Sequence, residues 1–320
     1  MLPKNNSTLI AEKNWHQIVK RLAGQAGGHS VTGLCKLFGV SKQAYYKHVD
    51  NVFARLAHER FLLEYVRSVR ELDPGIGGEK LWLMYKEYFK SAHSLGRDAF
   101  LAVLKEHGLM LRKHRKSCRT TNSNHGLPVY PDLVRHLLLT RANQVWVSDI
   151  TYVLTQEGFC YLSIVTDAYT HEIVGWFVGP TLESIYTLEA LKMACATLQE
   201  TDIKLIHHSD RGTQYASLLY TSHLKGLNIQ ISMTQSGDPK DNAVAERING
   251  ILKTEFLNHH RFKNITQVRL RVETAIIFYN NQRPHRSLDM MTPVQAREKT
   301  GKIKKRWKSY KDNYKEEYVT

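Results

Sequence analysis

Residues 144–180 read QVWVSDITYVLTQEGFCYLSIVTDAYTHEIVGWFVGP, three runs rich in Val, Ile, Tyr, Phe, Trp and Thr joined by short turns, one of them Gln156-Glu157-Gly158. Residues of these types pack well on a pleated surface, and short turns between such runs make antiparallel neighbours. Three consecutive antiparallel strands are expected. Downstream the pattern predicts a helix from about 182 to 199 and the short apolar strand DIKLIHH at 202–208. A strand near 227–233, the loop TQSGDPKD at 234–241 and a helix from about 242 to 258 complete a mixed α/β layer architecture.

Three carboxylates fall at the joints of this pattern. Asp149 alternates with Val147 and Thr151 on one face of the first strand, where a charge is costly to bury unless it is paired or metal-bound. Asp210 follows LIHHS directly, where a strand gives way to the polar RGTQY. Glu246, separated from Asp210 by 35 residues, lies one turn into a helix whose N-cap is expected at Asp241. On that helix Asn242, Glu246, Asn249 and Lys253 share a polar face, while Val244, Ile248, Ile251 and Leu252 cover the other. Three acids from three elements can hold two divalent cations, an arrangement suited to phosphodiester chemistry.

Neighbouring residues offer competing readings. Asp167, in IVTDAYT, is a rival first metal ligand or an ordinary carboxylate at a strand end. His207 and His208 are either ligands or hydrogen-bonded supports. Arg211 and Gln214 either touch DNA or fix their own loop, and Arg247 either meets phosphate or lies on a solvated helix face. Tyr152 and Ser148 read as packing or supporting groups. Further on, TQVRLRVETAIIFYNNQ at 266–282 is a helix, and Arg283, His285 and Arg286 beside Tyr279 and Asn280 form either a DNA-backbone contact or a basic rim.

The 320 residues are 42% hydrophobic and 10% aromatic, enough for a substantial core in two or three domains. Four cysteines, Cys35, Cys118, Cys160 and Cys195, form no CxxC pair, so neither a disulfide framework nor a cysteine-rich zinc site is supported. The N-terminus has no apolar run of signal length, and no stretch reaches the 18 or so apolar residues of a membrane span; a cytoplasmic protein without membrane partners is expected. The net charge of +15 is uneven. Residues 1–140 carry 22 Lys+Arg against 11 Asp+Glu, residues 141–300 carry 16 against 16, and residues 301–320 carry 7 against 3. A neutral body with basic flanks suits a catalytic domain held on a polyanion by its appendages.

Upstream, SVTGLCKLFGVSKQAYYKH at 30–48 reads as two short helices around a tight turn. Ser30 caps the first, burying Val31, Leu34 and Phe38; Gly39 makes the turn, and Ser41 caps the second. A helix-turn-helix would aim Ser41, Lys42, Gln43 and Tyr46 at DNA, with Val40 and Tyr45 packed inward; an ordinary helical hairpin fits the same pattern. From 56 to 112 a second helical region is broken at Asp73, Pro74, Gly75, Gly77 and Gly78. Leu81, Met84, Tyr85 and Tyr88 form one apolar face there, and Phe100, Val103 and Leu104 another. Arg112 to Lys116 run into the polar stretch CRTTNSNHGLPVYPD, a linker. The expected domains are a helix-turn-helix module at 1–55, a second helical DNA-binding module at 56–120, a linker at 121–140, a catalytic core at 141–300 and a basic tail at 301–320.

WVSDITYV, HSDRGTQYAS, SMTQSGDPKDNAVAERINGILKTEFL and YNNQRPHRSLDMMTPVQ closely resemble the integrase-core transposases of bacterial insertion sequences, the second reading frame of the IS-three family. The resemblance runs from about 30 to 300. It implies a ribonuclease-H-like mixed sheet with flanking helices, as in retroviral integrases, preceded by small all-α modules. It implies a DDE-type polynucleotidyl transferase with Asp149, Asp210 and Glu246 as catalytic and metal-binding acids. Two Mg2+ ions, replaceable by Mn2+, would be held by Asp149 with Asp210 and by Asp149 with Glu246. Element ends would be cut and joined by 3′-hydroxyl attack, without the covalent intermediate of tyrosine or serine recombinases. Lys253 would contact the element end, and Arg247, Arg283 and Arg286 are further DNA candidates. Implied partners are double-stranded DNA, as inverted repeats and target, further copies of the chain on DNA, and an upstream-frame protein or fusion. The alternative is a non-catalytic DNA-binding regulator or inhibitor of transposition that retains the fold.

Overall fold

The computed structural model describes residues 6–25, 28–90, 95–111, 127–198, 204–235 and 242–306, with the side chains of the first helix described from Trp15 onward. Arg112 to Lys116, Cys118, the expected cap Asp241 and the tail aromatics Trp307, Tyr310 and Tyr314 lie outside the described residues. The chain divides into two compact units, Met1–Val66 and Arg67–Thr320.

The first unit holds α1 (Asn6–Ala23), α2 (Val31–Leu37) and most of α3 (Lys42–Leu72). Ser30 Oγ accepts from Gly33 N at 3.1 Å and Ser41 Oγ from Ala44 N at 3.0 Å, so both predicted caps form. Each satisfies a donor that the helix start leaves open. Between them Gly39 turns the chain at φ +67°, where a Cβ would be strained. Val19, Leu34, Cys35 and Tyr45 form the buried centre, with Trp15, Val31, Phe38 and Val40 packed against it. The helix after the turn is not short. No Gly or Pro occurs between Lys42 and Leu72, and α3 runs 31 residues until Asp73-Pro74 ends it. Residues 56–72 are therefore its continuation.

In the second unit α4 (Gly78–Phe89) and α5 (Arg97–Glu106) pack through Leu81, Tyr85, Phe100 and Leu104; Tyr88, expected on that apolar face, is exposed. The sheet follows as β1 (Val145–Thr155), β2 (Gly158–Asp167) and β3 (Ile173–Gly179), an antiparallel meander. Next come α6 (Ser184–Cys195), β4 (Ile206–Ser209), α7 (Thr213–Ala216), α8 (Leu218–Gly226) and β5 (Gln230–Met233). Strand order is β3-β2-β1-β4-β5, with β4 parallel to β1 and β5 parallel to β4. Three antiparallel strands extended by parallel ones, with helices on the faces, make the ribonuclease-H-like sheet. Trp146 and Ile150 pack with α6 and α8, whereas Val145 and Val147 pack with Ala245 of α9 (Ala243–Ile251), as strand alternation requires.

The helix expected over 242–258 changes character halfway. After Ile251 it becomes π-helical over Leu252–Leu257, where Asn258 N donates to Lys253 O at 2.8 Å. Such wide turns often mark functional sites. α10 (Ile265–Asn281) and α11 (Pro293–Ala296), with its Thr292–Gln295 capping box, close the unit.

Candidate active site

β1 and β4 run parallel in register up to Ser148 and Ser209. The next residue of β1 is Asp149, and Asp210 directly follows β4, so sheet pairing alone sets Asp149, midway along β1, beside the end of β4 that carries Asp210. α9 approaches from the other side. Asn242, the residue at its N-cap, donates to Ser148 O at 3.0 Å, and Asn249 Nδ2 donates to Asp149 Oδ2 at 2.8 Å. These bonds anchor the helix that carries Glu246.

Asp149 is partly accessible where the central strand β1 runs on past β4, yet densely surrounded, and its carboxyl is pushed up to about 7. Burial is the main cause; Asp210 and Glu246 add repulsion, while the Asn249 amide and Ile150 N oppose it. Asp210 Oδ1 accepts from Gly212 N at 2.9 Å, which turns the loop after β4, and Glu246 is exposed on α9. Among the described residues no three acids, histidines or cysteines converge in ligating array, so the acids are electrostatic neighbours rather than a closed cage. Their chemistry nevertheless fits a divalent ion. The donors are carboxylate oxygens, suited to hard cations, and added positive charge would relieve the repulsion on Asp149.

Residues 140–239 and 227–293 match the integrase core domain. The insertion element IS600 uncharacterized 31 kDa protein of Shigella sonnei is 39% identical over 83% of this chain and 98% of its own length. The transposase for insertion sequence element IS629, also from Shigella sonnei, is 30% identical over 84% of this chain and 91% of its length. The chain belongs to the insertion-sequence transposases with an integrase core. It is a DNA transposase, a polynucleotidyl transferase, and this class of core depends on divalent metal. Among solved structures, the HTLV-2 integrase catalytic core domain in complex with magnesium is similar at 18% identity and a TM-score of 0.40, over 49% of this chain and 97% of that one.

Several open readings close in the transposase structure. Asp167 accepts from Tyr169 N, Thr170 N and Thr170 Oγ1 on one oxygen and from Asn143 N at 2.6 Å on the other. It holds the turn after β2 and ties that turn to the segment before β1 through Asn143. His207 Nε2 lies between Ser148 Oγ at 2.7 Å and the Tyr220 hydroxyl at 2.9 Å, and burial pushes the imidazole down to about 3. His208 Nδ1 lies 2.8 Å from Ser232 Oγ. Both histidines are internal supports of the β4 ladder. Arg211 donates to Thr234 O at 2.7 Å and also to Gln235 O, and Gln214 donates to Leu182 O, so these two residues fix loops.

The expected basic cluster is corrected by burial. Arg283 is only 3% exposed, and its guanidinium donates twice to Glu255, both at 2.7 Å. A buried guanidinium committed to a carboxylate is not a DNA-backbone contact. His285 is buried beside it, Asn280 bonds Ile173 N and O, and the Tyr279 hydroxyl donates to His171 O. Arg286 remains at the surface, paired with Glu79, and Arg247 is exposed on α9. Of the helix-turn-helix candidates, Lys42, Gln43 and Tyr46 line a shallow groove on α3, and Ser41 is the helix cap.

Sequence reading missed the partners of Arg283. Lys80 Nζ donates to Glu255 Oε1 at 3.2 Å, Gly75 N donates to Glu255 O at 2.8 Å, and Asp73, fully buried, stands 4.0 Å from Arg283. A Cβ on Gly75 would lie 2.4 Å from Glu255 Cα, so only glycine lets this turn meet the π-helical segment. Burial pushes Glu255 up, but Arg283 and Lys80 outweigh it and pull the carboxyl down to about 2. Lys253, on the same segment, places its ammonium 3.9 Å from the centroid of the Tyr152 ring.

Proposed function

We propose that Asp149, Asp210 and Glu246 are the catalytic acids of this transposase and that they hold two magnesium ions, replaceable by manganese, where β4 ends beside the middle of β1. The observation that carries this reading is the carboxyl of Asp149, raised by burial and by both other acids and braced by Asn249 from the helix bearing Glu246. When bound, such ions activate an attacking oxygen and stabilise the leaving one. The chain's own part is to fix the acids. Asn249 orients one oxygen of Asp149, Ile150 N holds the other at 2.9 Å, and Gly212 N orients Asp210. In cleavage a water oxygen forms a new bond to phosphorus as the bond to the 3′-oxygen breaks; in strand transfer a DNA 3′-hydroxyl takes the place of water. In each case the attacking oxygen gives up its proton to solvent and the leaving 3′-oxygen takes one up.

Lys253 and Arg247, on the helix of Glu246, bind phosphates of the element end, and Arg286 extends that contact. Lys42, Gln43 and Tyr46, with the capped Ser41, are assigned to terminal-repeat recognition by the N-terminal unit, and residues 56–120 to a second helical contact. The transposase acts as more than one copy on DNA, capturing target duplex after end cleavage, alone or joined to an upstream-frame product. Magnesium-dependent cleavage of a duplex carrying the element's terminal repeat tests the assignment. Alanine at any of the three acids abolishes cleavage while terminal-repeat binding persists; comparable cleavage by the triple variant would refute it.

A further inference from the structure

Beyond Ser148, β1 has lost β4 as a neighbour, and among the described residues no strand pairs with this edge before the bridge from Thr155 to Phe262. Tyr152 lies in that window, three residues past Asp149 and therefore on the opposite face of the strand. Lys253 reaches it from the π-helical segment, its ammonium 3.9 Å from the ring centroid. Phe159 braces the ring edge-on at 5.4 Å and 83°. One turn earlier on the same helix, Asn249 bonds Asp149. The helix therefore touches the acid on one face of β1 and the aromatic ring on the other.

We infer that Tyr152 is a positioning residue that aims Lys253 at the phosphate beside the scissile bond. The inference rests on the proposed DNA role of Lys253. A carboxylate partner would hold the ammonium by neutralising it, whereas a ring face attracts the cation and leaves its charge available to a phosphate. The seat also keeps a flexible four-carbon stem away from the nearby acids, where an ammonium would compete with a divalent ion. Among the described residues no ion pair involves Lys253.

The test uses the full chain, magnesium and a terminal-repeat duplex, with KM, kcat and the melting midpoint measured for each variant. Lys253→Ala raises KM by about tenfold, the loss of one phosphate contact. Tyr152→Phe stays within about twofold of the parent because the ring face survives. Tyr152→Leu raises KM by about fivefold with kcat and melting midpoint little changed, and the double variant is no worse than Lys253→Ala alone. Additive effects, or a parental KM for Tyr152→Leu beside an impaired Lys253→Ala, overturn the seat. A parental KM for Lys253→Ala overturns the DNA role of the lysine and the inference with it. Should Tyr152→Leu fail to fold, ring-fluorinated phenylalanines at 152 keep the shape: KM rising with fluorination supports the seat, and a flat series overturns it.

Discussion

Two groups of crowded charges stand at opposite ends of one helix, and they are built on opposite principles. At the start of α9, Asp149, Asp210 and Glu246 gather like charges, and Asp149 is pushed up to about 7. Beyond its end, Asp73 and Glu255 meet Lys80 and Arg283, opposite charges with bidentate bonding, and Glu255 is pulled down to about 2. In the second group Arg283 and Lys80 balance Glu255, while burial and the Glu255 charge push the Asp73 carboxyl up. The first sets like charges against Asp149, and a divalent cation would relieve that repulsion, as a cation-binding catalytic site requires. The Glu255–Arg283 pair and the Gly75 N to Glu255 O bond form a clasp that holds the π-helical segment against the turn after α3, whereas the acidic cluster gathers repulsion that a cation would relieve.

The largest expected effect separates chemistry from folding. Alanine at Asp149, Asp210 or Glu246 lowers magnesium-dependent cleavage by at least about a thousandfold, the scale of losing a preorganised charge-stabilising group, with repeat binding retained in a shift assay. Next come the two groups as stability elements, where the signs diverge. Glu255→Ala strands a buried guanidinium and costs about 3–5 kcal/mol in denaturant unfolding. Asp149→Asn, in metal-free buffer, removes repulsion and raises the melting midpoint by roughly 2–4 °C, the equivalent of about 1 kcal/mol in a unit of this size. Equal destabilisation by both variants would erase the contrast.

Acid titration sharpens it further. Glu255 has a depressed folded value, so its stabilisation is present above the ordinary carboxylate range near 4.5 and is lost as pH falls toward 2. His207 is held neutral, its folded value about 3 against an ordinary 6.5, so the unfolded chain takes up the proton first. Stability therefore falls from about pH 6.5 downward. His207→Gln flattens the upper part of that profile and Glu255→Gln the lower part, as followed by circular dichroism. The smallest effect is local: Ser30→Ala loses the α2 cap and costs about 1 kcal/mol in the N-terminal unit.

The meander was legible because β-branched and aromatic runs with short turns leave few alternatives, and both helix caps before α2 and α3 were legible from Ser30 and Ser41. Asn249 was also within reach, since its spacing from Glu246 sets it on the same polar face, although its bond to Asp149 was not foreseen. What sequence spacing hides is register and burial. A π-turn has no local signature in LKTEFL, yet it brings Glu255 to Arg283. An arginine in RPHR looks like a surface cation until its carboxylate, 28 residues earlier, is known. Asp167 is set apart from Asp149 by the three turn donors and the Asn143 amide that bond it. The length of α3, by contrast, was available from the absence of Gly and Pro before Asp73.

The central claim is that the acidic group binds divalent cations and the clasp does not. Thermal unfolding of the full chain in rising MnCl2 or MgCl2 tests it directly, with Asp149→Asn as the matched control. The midpoint of the parent protein rises with metal by mass action while that of Asp149→Asn stays flat. Equal metal-dependent shifts in both, or none in the parent, would contradict the assignment.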